Sequence, residues 1–175
     1  MDPATLNIAS LRQSEAAVAE CRRLADADPA YQRELALALT RLSNRLSSVL
    51  RARKALVVAE EAVHIYQKLA DSDPGADDSE LARALNILAL RLVEVGRRDK
   101  ALYESKRSVS MRRARVESTS ADQAAPTQAE IDLAESLETL SLCLRELGRE
   151  QAHREVSQEA ERIRTRLRES RSDRL

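Results

Sequence analysis

Apolar residues recur at alternating steps of four and three at Leu81, Leu85, Leu88, Leu92 and Val95, the spacing that lines one face of an α-helix. The same stripe stands 46 residues earlier at Leu35, Leu39, Leu42, Leu46 and Val49, and 52 residues later at Leu133, Leu137, Leu140, Leu144 and Leu147. These three segments are the A helices. Each is followed by a less apolar B helix: Ala55, Leu56, Ala59, Val63 and Tyr66, then Ala101, Leu102, Ser105 and Val109, then Ala152, Val156, Ile163 and Leu167. Leu11, Ser14, Val18, Cys21 and Leu24 match the first B stripe at an offset of 45, so the chain opens on a B helix with no A partner. Seven helices are predicted.

The junctions that follow the stripes repeat as well: Leu24-Ala25-Asp26-Ala27-Asp28-Pro29 returns as Leu69-Ala70-Asp71-Ser72-Asp73-Pro74. A period of this length marks a supersecondary unit that cannot bury its apolar face alone and stacks on its neighbours. The expected layout is a single domain over residues 1–175. It has an unpaired B-type helix at 10–26, repeats at 28–70 and 77–117, a third repeat with the C-terminal helix at 127–169, and a fraying tail at 170–175.

Local punctuation supports these cuts. Asp28-Pro29 offers an N-cap followed by a proline at the first helical position, and Asp77-Asp78-Ser79-Glu80 and Thr127-Gln128-Ala129-Glu130 can form capping boxes. Gly96 and Gly148 end the second and third A helices where a left-handed residue is wanted. The first A helix has Leu50-Arg51 there instead, at a cost on the order of 1 kcal/mol for leucine in that conformation. Two outcomes stay open: a turn that tolerates leucine, or fusion of A1 and B1 into one long helix that swaps between two copies of the chain.

Composition fits an all-α chain: Phe and Trp are absent, and Ala, Leu, Glu and Arg dominate. Charged residues make up 33% but cancel to zero, so no global attraction to nucleic acid or anionic membrane is expected. Cys21 and Cys143 form no CxxC pair and suit a reducing, cytoplasmic setting. No run of about 20 uncharged apolar residues stands ready to cross a membrane.

The string from Ala84 to Leu102 resembles a tetratricopeptide repeat of the long-helix, kinesin-light-chain-like type. The match runs through Leu88, Ala89, Leu92, Gly96 and Ala101, although Ser105 and Ser108 replace a large aromatic and an alanine. The first unit matches through Leu42, Ser43, Leu46, Ala55, Ala59 and Ala62, and the third through Leu140, Ser141, Leu144 and Gly148, with Ala152 arriving one residue early. The resemblance implies a right-handed superhelical solenoid of antiparallel helix pairs whose A helices line a concave groove for a partner peptide or helix. Transferring the groove pattern places Leu37, Thr40, Asn44, Ser47 and Ser48 on that wall from the first A helix, and Arg83, Asn86, Leu90, Val93 and Glu94 from the second. The third adds Glu135, Glu138, Leu142, Arg145 and Glu146. Only Asn44 matches the family's clamp for C-terminal carboxylates, so that ligand class is rejected; Thr40, Ile87, Glu135 and Thr139 stand at its other positions.

The expected function is therefore a protein-interaction scaffold. The alternative is a self-associating structural or regulatory fragment, a homodimer joined through the half-covered stripe at Leu11 and Val18 and the turn at Leu50 and Arg51. Nucleic-acid binding, through Arg107, Arg112, Arg113 and Arg115 or the run from Arg162 to Arg174, is disfavoured by interleaved glutamates and by missing stacking aromatics. No catalytic residues, metal site or cofactor are expected, because His64 and His153 are isolated and the three glycines all fall at turns.

Overall fold

The computed structural model describes residues 3–73, 75, 78–119 and 128–172, with side chains described between residues 9 and 170. Among these residues the chain is all-helical, and each helix packs against the next. The B-type helix α1 spans Pro3–Ala27. The three A–B pairs are α2 (Gln32–Ser48) with α3 (Ala52–Ser72), α4 (Asp78–Glu94) with α5 (Arg98–Thr119), and α6 (Gln128–Glu146) with α7 (Glu150–Ser172). Asp28 caps a single 3-10 turn at Pro29–Tyr31 by accepting from the Ala30 N–H at 2.9 Å, so the predicted cap is used. Both predicted capping boxes begin on residues outside those described, as do most of the linker at 117–126 and the end of the tail.

All three hairpins turn in the same way. The N–H groups of Arg51, Arg97 and Arg149 donate to the carbonyls of Leu46, Leu92 and Leu144, and those of Leu50, Gly96 and Gly148 to Ser47, Val93 and Arg145. This double bond pattern satisfies carbonyls that a helix end leaves open, and it requires a left-handed residue at the middle position. Leu50 adopts it, at φ 59°, beside glycines at 77° and 67°. The fused A1–B1 helix is thus not the structure of this chain: α2 stops at Ser48 and α3 folds back on it. Burial of Leu42, Leu46, Ala55 and Ala62 in one apolar cluster of the two helices outweighs the local strain.

The hairpin register also corrects one assignment. The N–H groups of Ala55, Ala101 and His153 donate to Arg51, Arg97 and Arg149 in turn, so His153, not Ala152, is the third member of that position. Its Nδ1 meets the Ser141 hydroxyl at 2.7 Å, filling with a polar contact the place where Ala89 and Ala101 pack in the preceding pair.

Two layers result. α2 touches α4 and α4 touches α6, whereas no two of α1, α3, α5 and α7 approach backbone to backbone among the described residues. The A helices are the tighter, inner layer. The B helices are linked by side chains at repeat-equivalent positions: Arg22 to Glu61, Arg107 to Gln67 at 2.7 Å, and Arg113 to Glu159 at 2.7 Å. Leu11 and Val18 are buried in the same apolar cluster as Leu39, Ala62 and Tyr66. The chain covers that stripe itself, so the open face expected at Leu11 and Val18 is not there.

Candidate functional site

On the inner layer, Asn44, Leu90 and Leu142 occupy equivalent positions of α2, α4 and α6. Leu90, Val93 and Leu142 are half-buried and form an apolar strip, flanked by exposed Asn44, Ser48, Arg83, Glu138 and Arg145. Several wall residues are already engaged within the chain. Ser47 donates to Glu94 at 2.8 Å, Arg98 meets Glu146 at 3.4 Å, and Arg164 reaches Glu138 from α7. Thr40 is buried and donates to the Ala36 carbonyl at 2.8 Å, so it faces the interior and not the groove.

Beside the strip, toward the first turns of α4 and α6, lies a half-open cavity of about 270 Å³. Arg83 and Asn86 from the expected groove line it, and Arg112 of α5 stands in its wall. Arg112 is only 5% exposed. Its Nη1 donates to Ser79 Oγ at 2.8 Å and to Asp132 Oδ2 at 2.7 Å, and Gln128 Nε2 holds the other oxygen of Asp132 at 2.8 Å. Behind it Ser108 Oγ donates to the Ala82 carbonyl at 2.8 Å and lies 3.0 Å from Ser136 Oγ. Burial lowers the affinity of Arg112 for its proton; Asp132 and Glu80 partly restore it, while Arg115 and Arg83 oppose it. Two buried atoms here have no partner, Arg112 Nε and Asn86 Oδ1.

The preceding joint solves the same packing problem differently. At offsets of 46 and 52 residues, Tyr66, Ala62 and Ala84 are the counterparts of Arg112, Ser108 and Ser136. All three are buried, in a joint closed by Leu81 and Leu85. Along the sequence Arg107, Arg112, Arg113 and Arg115 form one basic cluster. The fold disperses that group: Arg107 bonds Glu104 and Gln67, Arg113 bonds Glu159, and Arg112 turns inward. In the C-terminal run, Arg164, Arg166 and Arg168 pair with Glu138, Glu130 and Glu161.

The turn pair Leu50 and Arg51 is fully on the surface, with Leu50 92% exposed. Val57 and Tyr103, at equivalent positions of α3 and α5, are each 63% exposed on the outer layer, a feature the helical periodicity did not single out. No group of His, Cys, Asp and Glu among the described residues is arranged to hold a metal ion, and no described helix is long and apolar enough to cross a membrane.

No protein-family model and no curated protein matches the chain. Among solved structures, it is similar to one described as a DHF58 filament, at 21% identity and a TM-score of 0.47, over 95% of this chain and 83% of that one. It is also similar to BtubC (BKLC) from P. vanneervenii, at 15% identity and a TM-score of 0.30, over 91% of each chain. At those scores neither neighbour bears on what this chain does.

Proposed function

We propose that this chain is a tetratricopeptide-like interaction scaffold whose inner layer holds a short peptide or helix of a partner protein, in a cytoplasmic setting. The observation that carries the reading is the strip Leu90, Val93 and Leu142, half-buried on the layer where A helices converge and bordered by polar side chains. Burying such a strip under an amphipathic segment gains on the order of 25 cal/mol per Å² of apolar surface, with the polar border setting orientation. Peptides selected from a displayed random library on the purified protein test it. Peptides that bind the native chain and not the Leu90→Glu, Leu142→Glu variant, at unchanged helicity, support the groove. Equal binding to both proteins, or no enrichment, overturns it.

Self-association is the second reading, and it rests on Val57 and Tyr103 at one height on α3 and α5. Light scattering that finds a concentration-dependent dimer, lost in Val57→Lys with Tyr103→Lys, would favour it over a monomeric adaptor.

A further inference from the structure

The net charge of zero contains two opposed runs. From Leu35 to Ala59 the chain carries Arg41, Arg45, Arg51, Arg53 and Lys54 and no carboxylate, whereas Asp71, Asp73, Asp77, Asp78 and Glu80 follow one another with no cation between them. Helix α3 holds the runs apart: Arg53 and Lys54 stand in its first turn and Asp71 in its last, about 30 Å away for 21 residues at roughly 1.5 Å each. This order opposes the helix dipole, which favours acids at the start of a helix and cations at its end. α5 and α7 open on acids, Asp99 and Glu150. The charges of α3 thus work against the helix that carries them.

Leu50 stands at the basic end. Almost wholly exposed, it holds the left-handed turn for which both equivalent turns use glycine, so its side chain brings backbone strain and no packing. Around it Arg45, Arg51, Arg53 and Lys54 are exposed, and none forms an ion pair among the described residues. At the acidic end an open hollow of about 420 Å³ lies between α3, α4 and α5. Ala70, Leu81 and Met111 give it an apolar lining, and exposed Asp71 and Asp78 border it. Its one lining cation, Arg107, is already held by Glu104 and Gln67. An apolar knob among cations and an apolar hollow beside carboxylates are complementary in shape and charge. The length of α3 keeps the two from meeting within one chain.

We propose that Leu50 of one copy docks in the hollow between α3, α4 and α5 of a second copy, with the cations around it against Asp71 and Asp78. The two patches differ, so the contact is heterologous: each copy offers its knob to one neighbour and its hollow to the next, and copies add end to end. A polyanion such as nucleic acid would meet the cations but leave Leu50 in water. The proposal depends neither on the inner groove nor on Val57 and Tyr103. One leucine and a few exposed ion pairs make a small contact, with an expected dissociation constant on the order of 0.1–1 mM, so dilute chains are monomers.

Sedimentation equilibrium of the full chain, from about 10 μM to about 1 mM, tests it. The average mass should climb past that of a dimer with concentration and fall back in high salt. Two variants split the contact. Leu50→Gly with Arg53→Glu removes the knob, and Asp71→Lys with Ser110→Lys blocks the hollow. Arg53→Glu and Asp71→Lys both move charge the way the α3 dipole favours, so each variant should keep its helicity, and each alone should stay monomeric. Mixed in equal amounts at the highest concentration, they should form a dimer and nothing larger, because the pair retains one intact knob and one intact hollow. A native chain that stays monomeric throughout, association that survives either variant, association lost in Val57→Lys with Tyr103→Lys, or a mixture that does not dimerise overturns the proposal. A monomeric chain that instead binds phosphatidylserine vesicles through Leu50 and Arg53 assigns the turn to a lipid surface and overturns it too.

Discussion

Arg112 Nη1 and Asp132 Oδ2 stand 2.7 Å apart across the joint of α5 and α6, with the arginine side chain 5% and the aspartate side chain 20% exposed. Ser79 of α4 shares the same nitrogen, so one guanidinium ties three consecutive helices. Removing one member of a buried pair strands the other. Arg112→Met should destabilise by about 3 kcal/mol, and Arg112→Met with Asp132→Asn by less than the sum of the two single changes. A double-mutant cycle by urea unfolding should give a coupling of about 2 kcal/mol. Strict additivity would show that the contact does not form in solution.

How much of this was legible in the sequence depends on which physical signal each residue carries. Leu81, Leu85, Leu88 and Leu92 are spaced by the helical period itself, so the stripes at 35–49 and 133–147 follow from counting, and the structure buries all of them but the last members, Val49 and Leu147, which are half-buried. The turn at Leu50 was ambiguous because a penalty near 1 kcal/mol is smaller than the packing energy at stake on either side. Family analogy places Thr40 on the groove wall, yet it is buried and donates to the Ala36 carbonyl of its own helix. Arg112 was obscured by its neighbours in the chain, since Arg107, Arg113 and Arg115 read together with it as a surface patch. The offset that pairs it with buried Tyr66 was the signal that could have found it.

Leu50 combines a left-handed backbone with a side chain that touches almost nothing, at 92% exposure. Glycine at that position loses no packing and relieves the strain, offset in part by the extra freedom it gives the unfolded chain. Leu50→Gly should raise stability by about 0.5–1 kcal/mol, read as a higher urea midpoint at unchanged slope. A lower midpoint would mean that the leucine is held by a contact with another copy.

Arg91 is 6% exposed and makes one ion pair, its Nη2 lying 3.2 Å from Glu94 Oε1, while its Nε and Nη1 are buried without hydrogen-bond partners. Burial lowers its proton affinity and Glu94 recovers only part of that loss. A flexible apolar side chain of similar length fills the same space without the desolvation. Arg91→Met should therefore stabilise the chain by about 1 kcal/mol, whereas Arg91→Ala leaves a void and should destabilise it. Thermal unfolding of the two variants side by side decides the matter, and a loss in both would assign the guanidinium a partner.

Cys143 is fully buried among Leu137, Leu140 and Leu144, and burial pushes its thiol above the ordinary range, although the nearby Ser105 side chain favours the thiolate. A thiol that stays protonated and covered is a poor nucleophile. Under native conditions a thiol-reactive dye should label half-buried Cys21 first and reach Cys143 only as the chain unfolds. The pH dependence has a definite sign. Above the ordinary thiol range, near 8.5, the unfolded chain has lost a proton that folded Cys143 still holds. Stability should then fall as pH rises from neutral through that range, and Cys143→Ala should remove this part of the slope. Equal labelling rates at the two cysteines, or an unchanged slope in the variant, would place Cys143 outside the core.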